Sequence, residues 1–506
     1  MAKNISVNDA MTRRTAVVNY DKIAGEEERD KDRKARILLY QKYWLYYDNA
    51  QYDKENGAKR NALQKRPDER LPEHQRKHAY SGVIEEGVDF ITDQLMDNLS
   101  IEVKTEAELK SGEADDKIPE EQIKFDEIWD ASDMDLEAPD LTREALVSAD
   151  AYIMIVWDEA DQLVKFIPYE ATAINPTYSE TNYKKMIMAT VYSSTYSDEE
   201  KREMAYREEY VLGQTSEGFE ECIYLKFEED NETPIESKLL NIPFIPIVHL
   251  KAIRKKVRKS FGESIVKKAI SDADRYNAVN QLEFLIGRYN SSSHLALFGT
   301  ESKINPEQLF LGNEVNDFWS FPNTTEAKVM TLPTDPAMIN NQCEKIEKNM
   351  YKKLGIQKMD LEDMKGLGAP SGYSLEIMNR KTNGVFTRIQ KELTKGYTEV
   401  FNKALDMQAI MESGKEWWDV DTEKAYPNRT VKFTFGTVFV ADSDAIRQDF
   451  VAGMISRKRA LMQKGLSEQD AMEISEEAEE EKANENSANL ESVAGIIKKN
   501  KENSPE

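Results

Sequence analysis

Cysteine, histidine and long apolar runs are scarce in this 506-residue sequence, and each scarcity removes a class of protein. The two cysteines, Cys222 and Cys343, stand far apart and in no metal-ligand spacing. No disulfide framework follows, and a reducing compartment fits this usage. Of the four histidines, His74 and His78 lie one helical turn apart, but "HQRKH" lacks the glutamate of a zinc-protease helix and is crowded by cations that repel a metal. The longest apolar run, "LNIPFIPIVHL", is about eleven residues long with prolines inside, short of the roughly twenty that a membrane helix needs. The opening "MAKNISVNDAMTRRTAVV" contains no apolar signal-peptide core. A soluble protein with no membrane partner is expected.

Cations also fall short. Lys and Arg total 68 against 93 for Asp and Glu, a net charge of −25. So anionic a surface favours solubility and disfavours wrapping of nucleic acid, because affinity for DNA comes mostly from cations that displace counterions. Any DNA contact is expected to be local or loose. The length allows several domains or one large core with excursions, since single cores stop growing at roughly 250 to 300 residues.

What is present is a mixture of helical and strand patterns, which makes the expected class α+β. A helical pattern from Lys31 to about Tyr52 carries Tyr40, Tyr43, Trp44, Tyr46 and Tyr47, a stripe that reads as core or subunit contact. "YSGVIEEGVDFITDQLMDNL" is an amphipathic helix with Val83, Val88, Ile91, Leu95 and Leu99 at near-helical spacing. Then "AYIMIVWDEADQLVKFIPYE" predicts two strands joined at "DEADQ", and "KKMIMATVYSS", "ECIYLKFEE" and "PFIPIVHLK" predict further strands, so closely spaced that a mixed or antiparallel sheet follows. Helix returns from Glu263 to about Tyr289. Residues 291–333, with the strand-like "SHLALFG", "QLFLG" and "NDFWSFP", read as a small β-containing excursion.

The next helix is sharply marked: Asp335 is placed to be the N-cap, Pro336 suits the first turn, and Gly355 suits the position just past the end. Ile339, Cys343, Ile346, Met350 and Leu354 share one face, while Lys345, Lys348 and Lys352 fall within about a 60° arc almost opposite. The stripe is either a solvated face or a face past which phosphates travel.

"MKGLGAPSGYSL", residues 364–375, invites a nucleotide-binding reading and does not sustain it. A phosphate-gripping loop follows a strand, and the Walker pattern places Lys and Ser or Thr after the glycines, whereas here a helix precedes and Lys365 comes first. The dinucleotide pattern fails at its sixth position, and "DLEDMKG" as a calcium loop puts Lys365 where glycine must sit and Ser371 where the bidentate glutamate must sit. No cofactor, metal or catalytic residue is assigned. Residues 355–370 are instead expected to form a long flexible loop between two helices, with Met359, Met364 and a few lysines suited to adaptable contact.

The second of those helices should run from about Tyr373 to Met411 on an apolar stripe of Val385, Phe386, Ile389, Leu393, Tyr397, Val400, Phe401 and Leu405, with Gly384 and Gly396 as candidate kinks. "RTVKFTFGTVFV" predicts one more strand, and a helical tail follows it, closing on the acidic run Glu473–Glu481. Asp442 and Asp444 read as turn and cap residues, and the last twenty-five residues as disordered or ordered only in an assembly.

In this order, four stretches, "ALVSADAYIMIVWDEADQLVKFIPYEATAINPTYSE", "NIPFIPIVHLKAIRKKVRKSFGESIVKKAISDADRYNAVNQ", "APSGYSLEIMNRKTNGVFTRIQKELTKGYTEVFNKAL" and "VKFTFGTVFVADSDAIRQDFVAGMISRKRALMQKGLSEQDAMEI", resemble the portal proteins of tailed double-stranded DNA bacteriophages. The resemblance covers about residues 35–481. It implies a homo-oligomeric ring, usually a dodecamer, at one capsid vertex of the virion, assembled in the host cytoplasm. It implies a mixed α/β wing at 31–255, a two-helix stem at 256–290 and 335–354, and a clip at 291–334. A tunnel loop at 355–370, a wing helix and strand at 371–440 and a helical crown at 441–481 complete the division, with tails at 1–30 and 482–506. The implied partners are double-stranded DNA, the terminase large subunit, a head-completion adaptor, and major capsid and scaffolding proteins. The implied DNA-facing positions are Lys358, Met359, Met364 and Lys365 in the loop and the stripe of Lys345, Lys348 and Lys352. The long acidic end and the basic "RKKVRK" before the stem depart from the family pattern. Set against a non-enzymatic DNA conduit stand a nucleotide-dependent phage enzyme using the 366–372 glycine loop and a capsid-interior scaffold.

Overall fold

The computed structural model describes residues 3–20, 26–51, 82–96, 99–104, 118–197, 202–214, 218–228, 231–254, 260–291, 294–298, 319–321, 327–330, 336–356, 372–427 and 429–435. The chain divides into two units: Met1–Asp93 with Ser100–Lys358 and Thr387–Phe433, and Gln94–Leu99 with Met359–Phe386 and Thr434–Glu506. It is an α+β chain. Its elements begin with β1 (Lys3–Asn4), α1 (Val7–Tyr20), α2 (Glu26–Tyr47), α3 (Val83–Met96), β2 (Ser100–Lys104), α4 (Glu120–Asp130) and α5 (Met134–Ser148). The strands β3 (Asp150–Asp158), β4 (Leu163–Tyr169), β5 (Ile174–Tyr178), β6 (Met186–Ser197), β7 (Arg202–Gln214), β8 (Glu220–Glu228), β9 (Glu236–Leu239) and β10 (Ile247–Lys251) follow.

Strands β1 and β3 to β10 form two antiparallel sheets. One has six strands in the order β1-β9-β8-β7-β6-β5, and the other has three, β10-β3-β4. The predicted hairpin at "DEADQ" is present: Asp158 faces Leu163, and the turn is fastened by Ala160 N–H to Asp158 Oδ1 at 2.9 Å and Lys165 Nζ to Asp158 Oδ2 at 2.8 Å. Successive residues of a strand point to opposite faces, so the unbroken burial from Ala151 to Ile155 means that β3 is covered on both sides. Helix α1 lies on the large sheet, where Ala10 packs with Ile223, Leu225 and Phe227. Arg14 grips Glu209 of β7 from that helix with Nε–Oε2 at 2.6 Å and Nη2–Oε1 at 3.1 Å, a two-pronged pair that satisfies a carboxylate with almost no exposure.

The aromatic stripe of α2 is indeed a packing face. Tyr40, Tyr43, Tyr46 and Tyr47 are buried, and several of these rings hand their polar atom to an acceptor. Tyr46 donates to Asp274 at 2.8 Å, Tyr47 to Asp89 at 2.6 Å, and Trp44 Nε1 to Ser148 Oγ at 2.9 Å.

Beyond β10 a 3-10 turn, Val266–Lys268, leads into α6 (Ile270–Ser291), so the regular helix starts later than the sequence pattern suggested. The strands β11 (His294–Phe298), β12 (Trp319–Phe321) and β13 (Ala327–Met330) make a small sheet, parallel between β11 and β12 and antiparallel between β11 and β13. "QLFLG" lies outside the described residues. Helix α7 (Pro336–Leu354) comes next, then α8 (Gly372–Ser413), α9 (Thr422–Ala425) and β14 (Thr430–Thr434), which pairs with β2.

At 42 residues and about 1.5 Å rise per residue, α8 spans about 60 Å. Every member of its predicted apolar stripe is buried. In the first unit Phe401 meets Phe125 at 4.7 Å, and Tyr397 meets Trp129 at 6.0 Å and Phe433 at 5.7 Å. Polar clamps fix its height on the small sheet: Lys403 Nζ donates to the carbonyls of Ile245 and Ile247 at 3.1 Å each, and Gln408 Oε1 accepts from Val164 N–H at 2.9 Å. Gly396 sits where α8 crosses β10, since a Cβ there would stand 2.4 Å from Leu250 Cδ2. In the second unit, the described residues are the end of α3 with Leu99, the start of α8, and Thr434 and Phe435, and among them Leu95, Val385, Phe386 and Phe435 are buried.

Both cysteines are free and buried, and burial pushes both thiols up. Native protein at neutral pH is therefore expected to react slowly with a chromogenic disulfide reagent, with both thiols released at once in denaturant. Rapid labelling of Cys222 without denaturant would contradict its place in the core.

Candidate nucleic-acid interface

Helix α7 takes its orientation from its two faces. Ile339, Cys343, Ile346, Met350 and Leu354 are buried, as their spacing predicted, while Lys345, Lys348 and Lys352 are exposed. The helix ends as glycine permits: Gly355 takes φ 98°, and the amides of Gly355 and Ile356 both donate to the carbonyl of Tyr351, at 3.0 and 2.8 Å. Asp335, the predicted N-cap, lies outside the described residues.

Three contacts keep the lysine face turned outward. Lys353 Nζ, just off the stripe, pairs with Asp272 Oδ2 of α6 at 2.7 Å. The Tyr351 hydroxyl donates to Glu86 of α3. Gly87 of α3 leaves room for the end of α7, because a Cβ there would stand 2.4 Å from Leu354 Cδ1. With α6 and α3 holding its buried side, α7 cannot roll without breaking these bonds.

The root of this helical assembly is a buried polar knot that the sequence did not disclose. Asp150, with a side chain 1% exposed, accepts from the Tyr40 hydroxyl at 2.8 Å, from His249 Nε2–H at 2.7 Å and from the amide of Gly262 at 2.7 Å. His249 stacks on Tyr152 at 4.7 Å, and its Nδ1 accepts from the Tyr178 hydroxyl, so the network assigns the neutral Nε2–H tautomer. Gly262 stands where the chain leaves the small sheet for α6. A Cβ there would come within 2.2 Å of the carbonyl oxygen of Ala149.

Burial alone would raise the Asp150 carboxyl, but His249, the Gly262 amide and the Tyr40 hydroxyl hold it below the usual carboxylate range. For His249 burial wins: desolvation pulls the imidazole down, helped by Lys251, against the opposing pull of Asp150 and Glu399. Below about pH 6.5 the unfolded chain takes up a proton that the folded imidazole refuses, so the unfolded state binds more protons and stability falls with falling pH. Melting followed from pH 7.5 to 5.5 should show this loss, and His249→Gln should flatten it. An unchanged slope in the variant would contradict the assignment.

Of the predicted site residues, Lys345, Lys348 and Lys352 come together on one exposed face. Lys358, Met359, Met364 and Lys365 lie outside the described residues, as do His74, His78, Asp442 and Asp444. Among the described residues no group of three His, Cys, Asp or Glu side chains could hold a metal ion, and no helix is long and apolar enough to cross a membrane.

Comparison with known proteins adds a family. The family model described as phage portal protein, SPP1 Gp6-like, matches residues 27–488. No curated protein matches the sequence. Among solved structures, a chain in the structure described as the virion of a native gene transfer agent particle is similar at 12% identity and a TM-score of 0.37, covering 77% of this chain and 91% of that one.

Proposed function

The chain belongs to the SPP1 Gp6-like phage portal protein family, a structural rather than enzymatic family, and from that membership we propose that it forms a ring at one capsid vertex through which double-stranded DNA is packaged and ejected. The match over residues 27–488 carries this proposal. In the proposed division residues 31–255 form the wing, and the helices within 256–290 and 335–354 form the stem. Residues 291–334 make the clip, 355–370 the tunnel loop, 371–440 the long helix and strand of the wing, and 441–481 the crown. The clip would dock the terminase large subunit during packaging and a head-completion adaptor afterwards. The crown would face the capsid interior, and the outer surface would meet major capsid and scaffolding proteins.

Charge supports a conduit over a clamp. About twelve copies would carry about −300, and an anionic wall lets a polyanion slide where a cationic one would hold it. Within that wall the rings of Lys345, Lys348 and Lys352 would ease repulsion locally, and Lys358, Met359, Met364 and Lys365 would touch passing duplex. Purified full-length protein viewed in negative stain should show rings with a central hole. Uniform monomers would overturn the proposal.

The lysine stripe has its own test. Replacing Lys345, Lys348 and Lys352 together by alanine should leave ring formation intact and change DNA passage. The salt dependence of duplex binding should flatten by about one unit of log–log slope for each phosphate that is no longer neutralised. Failure of the rings to form would instead make the stripe a subunit interface.

A further inference from the structure

We propose that a cation-lined pocket in the first unit, bounded by β10, α8 and the β5–β6 connection, binds phosphate groups with a combined charge of about −2. Four cations, Lys184, Lys251, Arg254 and Lys395, line it against two carboxylates, Glu392 and Glu399. The balance is +2 in a chain whose net charge is −25. This local excess of cations runs against the composition of the whole protein.

Lys251 rests over the Tyr178 ring at 5.4 Å and Arg254 over the Tyr183 ring at 5.1 Å, but carboxylate partners are scarce. Glu399 is already committed to Lys403 at 2.9 Å. Among the described residues no carboxylate lies within 4.0 Å of the ammonium groups of Lys184, Lys251 or Lys395. Arg254 is held in place by one bond, Nη2 to the Tyr183 hydroxyl at 2.9 Å, which leaves donors of its planar fork for a ligand. Lys251 sits deepest, and burial lowers its ammonium pKa, with Lys395 and Arg254 adding repulsion against the pull of Asp150 and Glu392. Gathering four cations against two carboxylates costs free energy, which an arriving anion would recover. His249 and Tyr178 also border the pocket, but their polar atoms are bound to each other and to Asp150, so the pocket offers binding rather than proton transfer.

The ligand class follows from charge and shape. A lone carboxylate carries one negative charge, whereas a phosphate carries about −1.5 to −2 at neutral pH and presents three strong acceptor oxygens. Two sources can supply a charge of about −2 here: one free phosphate, or two adjacent phosphodiesters of a nucleic-acid backbone, each a monoanion with two unesterified oxygens.

Full-length protein in a low-salt chloride buffer would be titrated calorimetrically with inorganic phosphate and, separately, with a duplex of about twenty base pairs, the latter on a background with alanine at Lys345, Lys348 and Lys352. Saturable binding of at least one ligand is expected, weakened about tenfold or more by Lys251→Met and Lys395→Ala and tightened by Glu392→Gln. Lys395 is exposed, so its variant keeps the test intact if Lys251→Met does not fold. Phosphate binding alone identifies the free anion as the source, and duplex binding alone identifies a polymer backbone. Absence of saturable binding by both, or binding indifferent to all three substitutions, overturns the proposal. Ring formation is read separately, so failure here would leave the conduit untouched.

Discussion

Asp150→Ala is expected to destabilise the protein by about 4 kcal/mol, measured by urea or thermal unfolding. Alanine removes the acceptor for three donors at once, the Tyr40 hydroxyl, the His249 Nε2–H and the Gly262 amide, all within 2.8 Å. Each buried donor left without an acceptor costs about 1 to 3 kcal/mol, and water cannot replace the carboxylate in a site this enclosed. Part of the loss is offset because an ionised group no longer has to be buried. Asp150→Asn keeps the shape and one acceptor oxygen, so it should cost less, about 2 kcal/mol. A loss under about 1 kcal/mol for the alanine variant would mean that the knot is incidental to stability.

The second large effect needs only one methyl group. Gly262→Ala is expected to cost about 3 kcal/mol or more, because the added Cβ would lie 2.2 Å from the Ala149 carbonyl oxygen, a backbone atom that cannot rotate away. Relief requires the segment to lift, and lifting it breaks Gly262 N–H to Asp150, Glu263 N–H to the carbonyl of Ile253 at 2.9 Å and Ile265 N–H to that of Leu146 at 3.2 Å. Gly384 in α8 is the control. Among the described residues a Cβ there meets nothing within 4 Å, so Gly384→Ala should raise stability by about 0.5 to 1 kcal/mol through helix propensity. Equal effects of the two substitutions would contradict the close approach at Gly262.

How much of this could be read from the sequence depends on the range of each interaction. The faces of α7 were legible because a helix repeats within the chain, and Ile339 to Leu354 carry their own period. The β3–β4 hairpin was legible for the same reason: its turn and both strands lie within twenty residues of one another. Strand β7 was not, because "REMAYREEYVLGQ" reads as a charged segment. Its Glu209 is buried only because Arg14, 195 residues earlier, comes to meet it. The knot is equally non-local, with His249 and Gly262 reaching Asp150 across 99 and 112 residues. A histidine in the apolar run "IVHLK" was the one local sign that something polar had to be waiting for it. Gly396, read as a candidate kink, owes its place to Leu250 on another element, a close approach that no helical period encodes.

A three-dimensional reconstruction of the assembled particle by electron cryomicroscopy tests the central claim most directly. A closed ring is expected, in which Lys345, Lys348 and Lys352 of every subunit look into a common channel wide enough for duplex DNA. Finding those lysines on the outer wall or sealed between neighbouring subunits, or finding no ring at all, would contradict it.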